Sequence, residues 1–192
     1  MRCSLALLLV LLMTGCMSDS SSGTSRNELA DLVLQNGDLP PVFELFDEGR
    51  QVRADLPTGP RADPTRFGRV EGWKARYRRV GTPQTGGPLV VESRVDLFDS
   101  SGGADDELEA HKLEQEEAEG TRLLRAPVLG DEAFAATLTQ PGASSRVRFY
   151  LVAWRENDVA ASLSVNGFDR KLTLEHALEL ARKQQRRIQA SA

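Results

Sequence analysis

Hydrophobic and polar residues alternate with a period of two along several stretches of the chain, which is the pattern of a half-buried β-strand. After Gly72, three apolar or aromatic residues alternate with three basic ones: Trp73, Ala75 and Tyr77 against Lys74, Arg76 and Arg78. Apolar runs or alternations predict further strands over residues 42–46, 89–97, 133–139, 145–155 and 159–165. Turn residues at 141–142 and 157–158 separate the last three strands, so these strands are expected to form an antiparallel meander.

Apolar residues recur at helical spacing in three other segments. A short helix over residues 27–36 ends at Gly37. A second helix begins at Ser101 or Gly103, runs to about Glu119 and ends at Gly120, and a third over residues 173–189 begins at Thr173. Residues 48–66 are polar and rich in Gly and Pro, and they predict a long loop. Helices kept apart from antiparallel strands predict an α+β fold, in which an antiparallel β-sheet has helices packed on it.

The amino terminus has the features of a targeting segment. Arg2 precedes an apolar run over residues 5–13, which is shorter than the ~20 residues of a spanning helix and is typical of a signal peptide. Thr14, Gly15 and Cys16 follow directly, and together with Met13 at the end of the run they resemble the bacterial lipobox. The resemblance implies cleavage after Gly15 and a diacylglyceryl lipid on Cys16, whose acyl chains, such as palmitate, hold the protein in the membrane. An ordinary signal peptide followed by a free Cys16 is the alternative.

The sequence therefore divides into three parts. Residues 1–15 are the predicted lipoprotein signal peptide, residues 16–26 the lipidated Cys16 with a flexible Ser/Gly-rich tether, and residues 27–192 one globular α+β domain. The predicted partner at this end of the chain is the membrane, through the lipid on Cys16. The predicted location is the extracytoplasmic face of the cell membrane or of the outer membrane, and the sequence leaves that choice open.

Charge and residue content argue against several classes of function. The chain has 24 basic and 28 acidic residues, and without Arg2 of the signal peptide the mature chain has 23 and 28, a net charge of −5, which does not favour nucleic acid. Only Cys16 remains after cleavage, so no internal disulfide or multi-cysteine metal site can form. His111 and His176 lack the spacing of a zinc motif and are expected at the surface or its boundary. No metal and no cofactor is predicted, and the acidic segment 105–119 is interpreted as a solvated helix face.

Several turn and packing motifs of the domain resemble a broad group of envelope lipoproteins with a PsbP/Mog1-like sandwich fold. The motifs are Asp-Leu-Pro-Pro at residues 38–41, Gly-Asp-Glu-Ala at residues 130–133, the hairpin at residues 155–160, and a closing helix that ends in Arg187 and Ile188. The resemblance covers nearly all of the mature domain. It implies a sandwich of antiparallel sheet and helices, and a binding or accessory role with no shared catalytic set.

The sequence predicts a binding protein and not an enzyme. It has no Gly-x-Ser-x-Gly elbow, no Walker loop and no Gly-x-Gly-x-x-Gly motif. Trp73, Arg76, Arg78 and Arg148 lie on predicted strands and form a candidate binding surface if one sheet face is uncovered. The leading prediction is a non-enzymatic binding or accessory module for an envelope protein partner. The alternative is a small-molecule or cell-wall ligand binder with the loop over residues 48–66 as its lid.

Overall fold

The computed structural model describes residues 26–52, 64–142 and 145–191; the predicted signal peptide and lipobox lie outside the described residues. Within these ranges the chain forms three α-helices and seven β-strands: α1 (Arg26–Leu32), β1 (Glu44–Arg50), β2 (Arg69–Arg78), β3 (Val90–Phe98), α2 (Ser101–Glu117), β4 (Arg122–Leu123), β5 (Glu132–Gln140), β6 (Val147–Glu156), β7 (Val159–Phe168) and α3 (Leu174–Ser191). Short 3-10 turns cover Asn36–Asp38 and Pro64–Phe67. Across the described ranges, no helix has both the length and the apolar character needed to cross a membrane.

The strands form one antiparallel sheet, which confirms the predicted α+β fold. Their order is β1-β2-β3-β7-β6-β5-β4, and every neighbouring pair is antiparallel. The first three strands follow each other across the sheet. α2 then carries the chain to the far edge, and β4 to β7 return to the middle, where Ala161 of β7 lies opposite Val95 of β3.

α1 and α3 pack on one face of the sheet and enclose the main hydrophobic core. Buried residues recur along α3 at helical spacing, as Ala177, Ala181 and Ile188 show. The strands contribute every second residue to this core, including Val95 and Trp154, both 0 % exposed. Each large apolar side chain buried here contributes roughly 1.5–3 kcal/mol, so this face supplies most of the packing free energy.

α2 packs on the opposite face and covers only part of it. Ser100 caps the helix because its hydroxyl accepts the backbone N–H of Gly103 at 3.2 Å. Leu108 then packs with Phe134 and Ala153 over the half of the sheet that contains β5, β6 and β7. The same face of β1 and β2 lies beside the helix. On β2 it is exposed at Val70 and Arg78, whereas Lys74 between them is buried.

Two predicted boundaries near the first strand are wrong. β1 is Glu44–Arg50 instead of residues 42–46, and Val42 is 55 % exposed. Among the described strands, β1 is an edge strand whose one neighbour is β2, so it does not need the apolar run by which a buried strand is recognised. The predicted loop over residues 48–66 therefore begins inside β1 and ends in the Pro64–Phe67 turn, and its residues 53–63 lie outside the described residues.

The first helix is shorter than predicted because a contact with the sheet interrupts it. The backbone N–H of Leu34 donates to the hydroxyl of Ser93 on β3 at 3.0 Å, and the hydroxyl of Tyr77 on β2 donates to the carbonyl of Leu34 at 2.7 Å. These two bonds occupy the N–H and the carbonyl of Leu34, which would otherwise have formed hydrogen bonds within a longer helix. α1 consequently ends at Leu32 instead of residue 36.

Candidate ligand-binding groove

A groove lies beside α2 on the partly covered face of the sheet. The strand register places Glu92 of β3, Ser164 of β7, Leu151 of β6 and Ala136 of β5 in one row across this face. Two of these four side chains, Ser164 and Ala136, are small, so the sheet surface is recessed next to the helix. The resulting cavity, here called the groove, has a volume of about 260 Å³ and is also lined by Arg94, His111, Gln115, Phe149 and Ser162.

One wall of the groove is held by ion pairs between neighbouring strands. The two oxygens of Glu92 lie 2.5 Å from Nε of Arg94 and 2.9 Å from Nε of Arg76. Farther toward the sheet edge, Asp47 of β1 lies 3.0 Å from the Lys74 ammonium and 3.5 Å from the Arg76 guanidinium. We call these five residues the charged strip. Partly exposed pairs of this kind contribute only about 0–1 kcal/mol each, but together they fix the positions of the side chains along the groove.

A smaller pocket of about 60 Å³ continues the groove under α2 and is here called the inner pocket. Asp96 of β3 lies in it and accepts hydrogen bonds from Nε of Arg69 and, at 3.3 Å, from the amide of Gln51. Burial raises the pKa of Asp96, and the charge of Arg69 offsets part of that rise. Gln51 and Pro64, which flank the undescribed part of the predicted lid, both line this pocket.

Two side chains of α2 enter the same region in their neutral forms. Glu107 and His111 are four residues apart, so both project from one side of the helix. Burial and the charge of Asp96 raise the pKa of Glu107 to about 8, so its carboxyl is mostly protonated at pH 7. Burial and the charge of Arg94 lower the pKa of His111 to about 4, so its imidazole is neutral. Titratable groups with such shifts, gathered in a cleft, indicate a functional site.

The groove and the inner pocket can therefore form hydrogen bonds with little net charge. A protonated Glu107 is a donor, Gln115 offers both donors and acceptors, and the hydroxyls of Ser162 and Ser164 can act either way. Phe149, Leu138 and Leu151 supply a non-polar surface beside these groups. Such a combination of apolar surface and a few convergent polar groups is typical of small-molecule sites.

Two of the four predicted surface residues lie near the groove. Arg76 and Arg78 of β2 are on the face that α2 leaves uncovered, and their guanidinium carbons lie 5.1 and 5.3 Å from the centre of the Phe46 ring. Phe46 is 38 % exposed and lies at the irregularity in the pairing of β1 with β2. These three side chains form a continuous exposed cluster at the edge of the sheet.

The other two predicted surface residues lie on the opposite face. Trp73 packs against the main core under α1 and α3. Arg148 of β6 pairs with Asp169 and lies 5.9 Å from the ring of Tyr150, on the side of α3. Successive residues of a strand point to opposite faces, so Trp73 and Arg76 cannot share a surface. The four residues are divided between two faces and do not form one patch.

The histidines occupy different environments. His111 lines the groove and meets the ring of Phe134 edge-on, with the two ring centres 5.4 Å apart. His176 lies half-buried in the first turn of α3, where its Nδ1 accepts the backbone N–H of Thr173 at 3.1 Å. Among the residues that the structure describes, no group of three His, Cys, Asp or Glu side chains could hold a metal ion.

Sequence reasoning missed the main groups of the groove, although part of the signal is present. Glu92, Arg94 and Asp96 alternate with apolar or small residues along β3, which indicates a polar sheet face. Glu107 lies in the acidic segment that is interpreted from the sequence as a solvated helix face, and the sequence does not show which of its acids faces the sheet. Only the packing of α2 singles out Glu107.

The comparisons with known proteins support the fold only. No family model matches the chain, and no curated protein sequence matches it. Among solved structures, the chain is similar to the extracellular domain of PknH from Mycobacterium tuberculosis, with a TM-score of 0.60 and 12% sequence identity. The match covers 84% of this chain and 97% of that domain. At this identity the likeness shows that the two chains share a fold.

Proposed function

We propose that the protein is a lipid-anchored, extracytoplasmic binding module that holds a small ligand in the groove beside α2. The observation that carries this proposal is the groove itself. It is a recess of about 260 Å³ that is lined by both apolar and polar side chains. The ligand-binding alternative from the sequence thereby gains more support from the geometry than the leading prediction of a protein partner.

The anchor is proposed from the sequence. An apolar run over residues 5–13 leads into Met13, Thr14, Gly15 and Cys16, and a polar tether follows before α1 begins at Arg26. Two or more acyl chains make such anchoring stable, since each buried methylene adds ~0.8 kcal/mol. The similar fold in PknH belongs to a domain described as extracellular, which supports an extracytoplasmic location for this chain as well.

We assign binding and not catalysis because the strongest charges of the site are engaged with one another. Asp96 is held by Arg69 and Gln51, and Glu92 is held between Arg76 and Arg94. In this arrangement the carboxylates serve to position the walls of the groove.

Native mass spectrometry tests the proposal. The lipidated protein is purified from its own host envelope in wild-type form and as Ser164→Leu, which fills the middle of the groove. A Ser191→Leu variant adds the same bulk at the exposed end of α3. We expect a bound small molecule on the wild type and on Ser191→Leu, and little or none on Ser164→Leu. Equal occupancy in all three proteins, or none in any, would contradict the proposal.

A second candidate function is docking of an envelope protein partner on the exposed cluster of Phe46, Arg76 and Arg78. Aromatic and Arg side chains are enriched where proteins bind one another. A photo-crosslinking residue at position 46 is expected to capture a defined envelope protein, and one at the fully exposed Val128 is not. Identical products from both positions, or no product from position 46, would rule this surface out.

A further inference from the structure

We infer that the ligand of the groove is a neutral sugar ring, as a monosaccharide or one unit of a glycan. The inference rests on the proposed ligand-binding function and names the chemistry of its ligand. It follows from three properties of the groove: its size, the apolar patch that adjoins its polar groups, and its balance of charge.

The size of the groove suits one ring. A volume of about 260 Å³ lies just below the roughly 300–1,000 Å³ of pockets for drug-sized ligands, so the space suits a small ring with its substituents. The groove is recessed because Ala136, Ser162 and Ser164 are small.

The lining of the groove offers the two kinds of contact that a sugar makes. Phe149, Leu138 and Leu151 line one part of it, where the C–H groups of a pyranose face can pack. Gln115, Thr121 and the serines of β7 supply both donors and acceptors, as the hydroxyls at the edge of a sugar require. A wholly apolar ligand would leave these polar groups unpaired, and each buried unpaired group costs about 1–3 kcal/mol.

The charge balance disfavours an ionic ligand. Glu92 and Arg94, the two charged residues of the lining, lie 2.5 Å apart and neutralise each other. His111 is neutral because burial and Arg94 lower its pKa to about 4. An anion would have to compete with Glu92 for Arg94, and a cation would have to compete with Arg94 for Glu92. A polyol can instead bond to the outer edges of this pair and leave it intact.

The test is a saturation-transfer NMR titration of the mature, lipidated protein in a phosphocholine detergent, which has no sugar headgroup. The neutral probes are cellobiose, maltose and N,N′-diacetylchitobiose, and the charged probes are glucuronic acid and glucosamine. We expect at least one neutral probe to bind saturably with a Kd of about 1 mM or tighter. We expect Ser164→Leu to weaken that binding at least tenfold, and Gln115→Ala to weaken it at least threefold.

The matched control is Gln189→Ala on the exposed side of α3, which should bind as the wild type does. The inference is overturned if none of the three neutral probes saturates up to about 10 mM. It is also overturned if a charged probe binds tenfold more tightly than the neutral ones, or if Gln115→Ala and Ser164→Leu both bind normally. A groove-dependent ligand in native mass spectrometry without sugar binding would leave the proposed function standing and remove the sugar assignment alone.

Discussion

Replacing Glu107 with Gln is expected to stabilise the protein at alkaline pH. The pKa of this carboxyl is raised from 4.5 to about 8 by burial and by the charge of Asp96. A raised carboxyl pKa contributes stability that is fully present below the unfolded value of 4.5 and is lost as the pH rises through 8. Gln has the size and polarity of the protonated acid and does not titrate, so the variant should lack this loss.

The difference in stability between wild type and Glu107→Gln is best measured between pH 6.5 and 9. Below pH 6.5 the buried His111 acts in the opposite direction, because its pKa is lowered from 6.5 to about 4 and stability rises with pH over that range. From pH 6.5 to the Glu107 pKa of about 8, about 1.5 pH units at ~1.36 kcal/mol each give about 2 kcal/mol. Since Glu107 retains partial contact with solvent, we expect a difference of about 1–2 kcal/mol.

The assay is urea unfolding of the unlipidated chain from residue 17, followed by the fluorescence of the buried Trp154. Between pH 6.5 and pH 9, the free energy of unfolding of the wild type should fall by about 1–2 kcal/mol more than that of Glu107→Gln. Glu116→Gln, an exposed change on the same helix, should follow the wild-type curve. If Glu107→Gln and wild type lose stability in parallel over this interval, Glu107 is not protonated in the folded protein and the reasoning fails.

Three further changes test other parts of the structure. Gly130→Ala should lower the free energy of unfolding by about 2 kcal/mol or more, because Gly130 has φ +53° and a Cβ there would collide with a backbone carbonyl. The control is Gly37→Ala, whose Cβ meets open space and which should cost little in the same urea assay. Tyr77→Phe should cost about 1–2 kcal/mol, because it leaves the buried carbonyl of Leu34 without its hydroxyl donor, and equal stability would contradict that role. Cys16→Ser should leave the precursor uncut and unlipidated in pulse-chase labelling, and normal processing would exclude the lipoprotein assignment.

The secondary structure could be predicted from the sequence wherever the local pattern and the packing agree. The alternation in β2 and β3, the turns between β5, β6 and β7, and the periodic apolar residues of α3 all appear as predicted. Each of these elements is half-buried, so the sequence carries the period of the element. β1 and the two-residue β4 were misplaced or missed because edge strands are held by one neighbour and need no such period.

The candidate site could be predicted from the sequence only in part. The polar positions of β3 are visible in the sequence, and the registers of the sheet then place Glu92 beside Arg76 and opposite Ser164. The surface formed by Arg76 and Arg78 was predicted, but Phe46 was assigned to a strand without this role. Trp73 and Arg148 were grouped with the two arginines, although their strand parity places them on the other face.

By itself the sequence determined the class of fold, because a period of two or of 3.6 is written into the order of apolar residues. It also predicts the lipid anchor at Cys16, since that signal is read by enzymes from the chain itself. The tertiary structure decided how β7 lies beside β3, which face α2 covers, and which of its acids meets Asp96. These contacts join residues that are far apart in the chain. The position of Glu107 next to Asp96 in a buried pocket therefore depends on packing that no local pattern encodes.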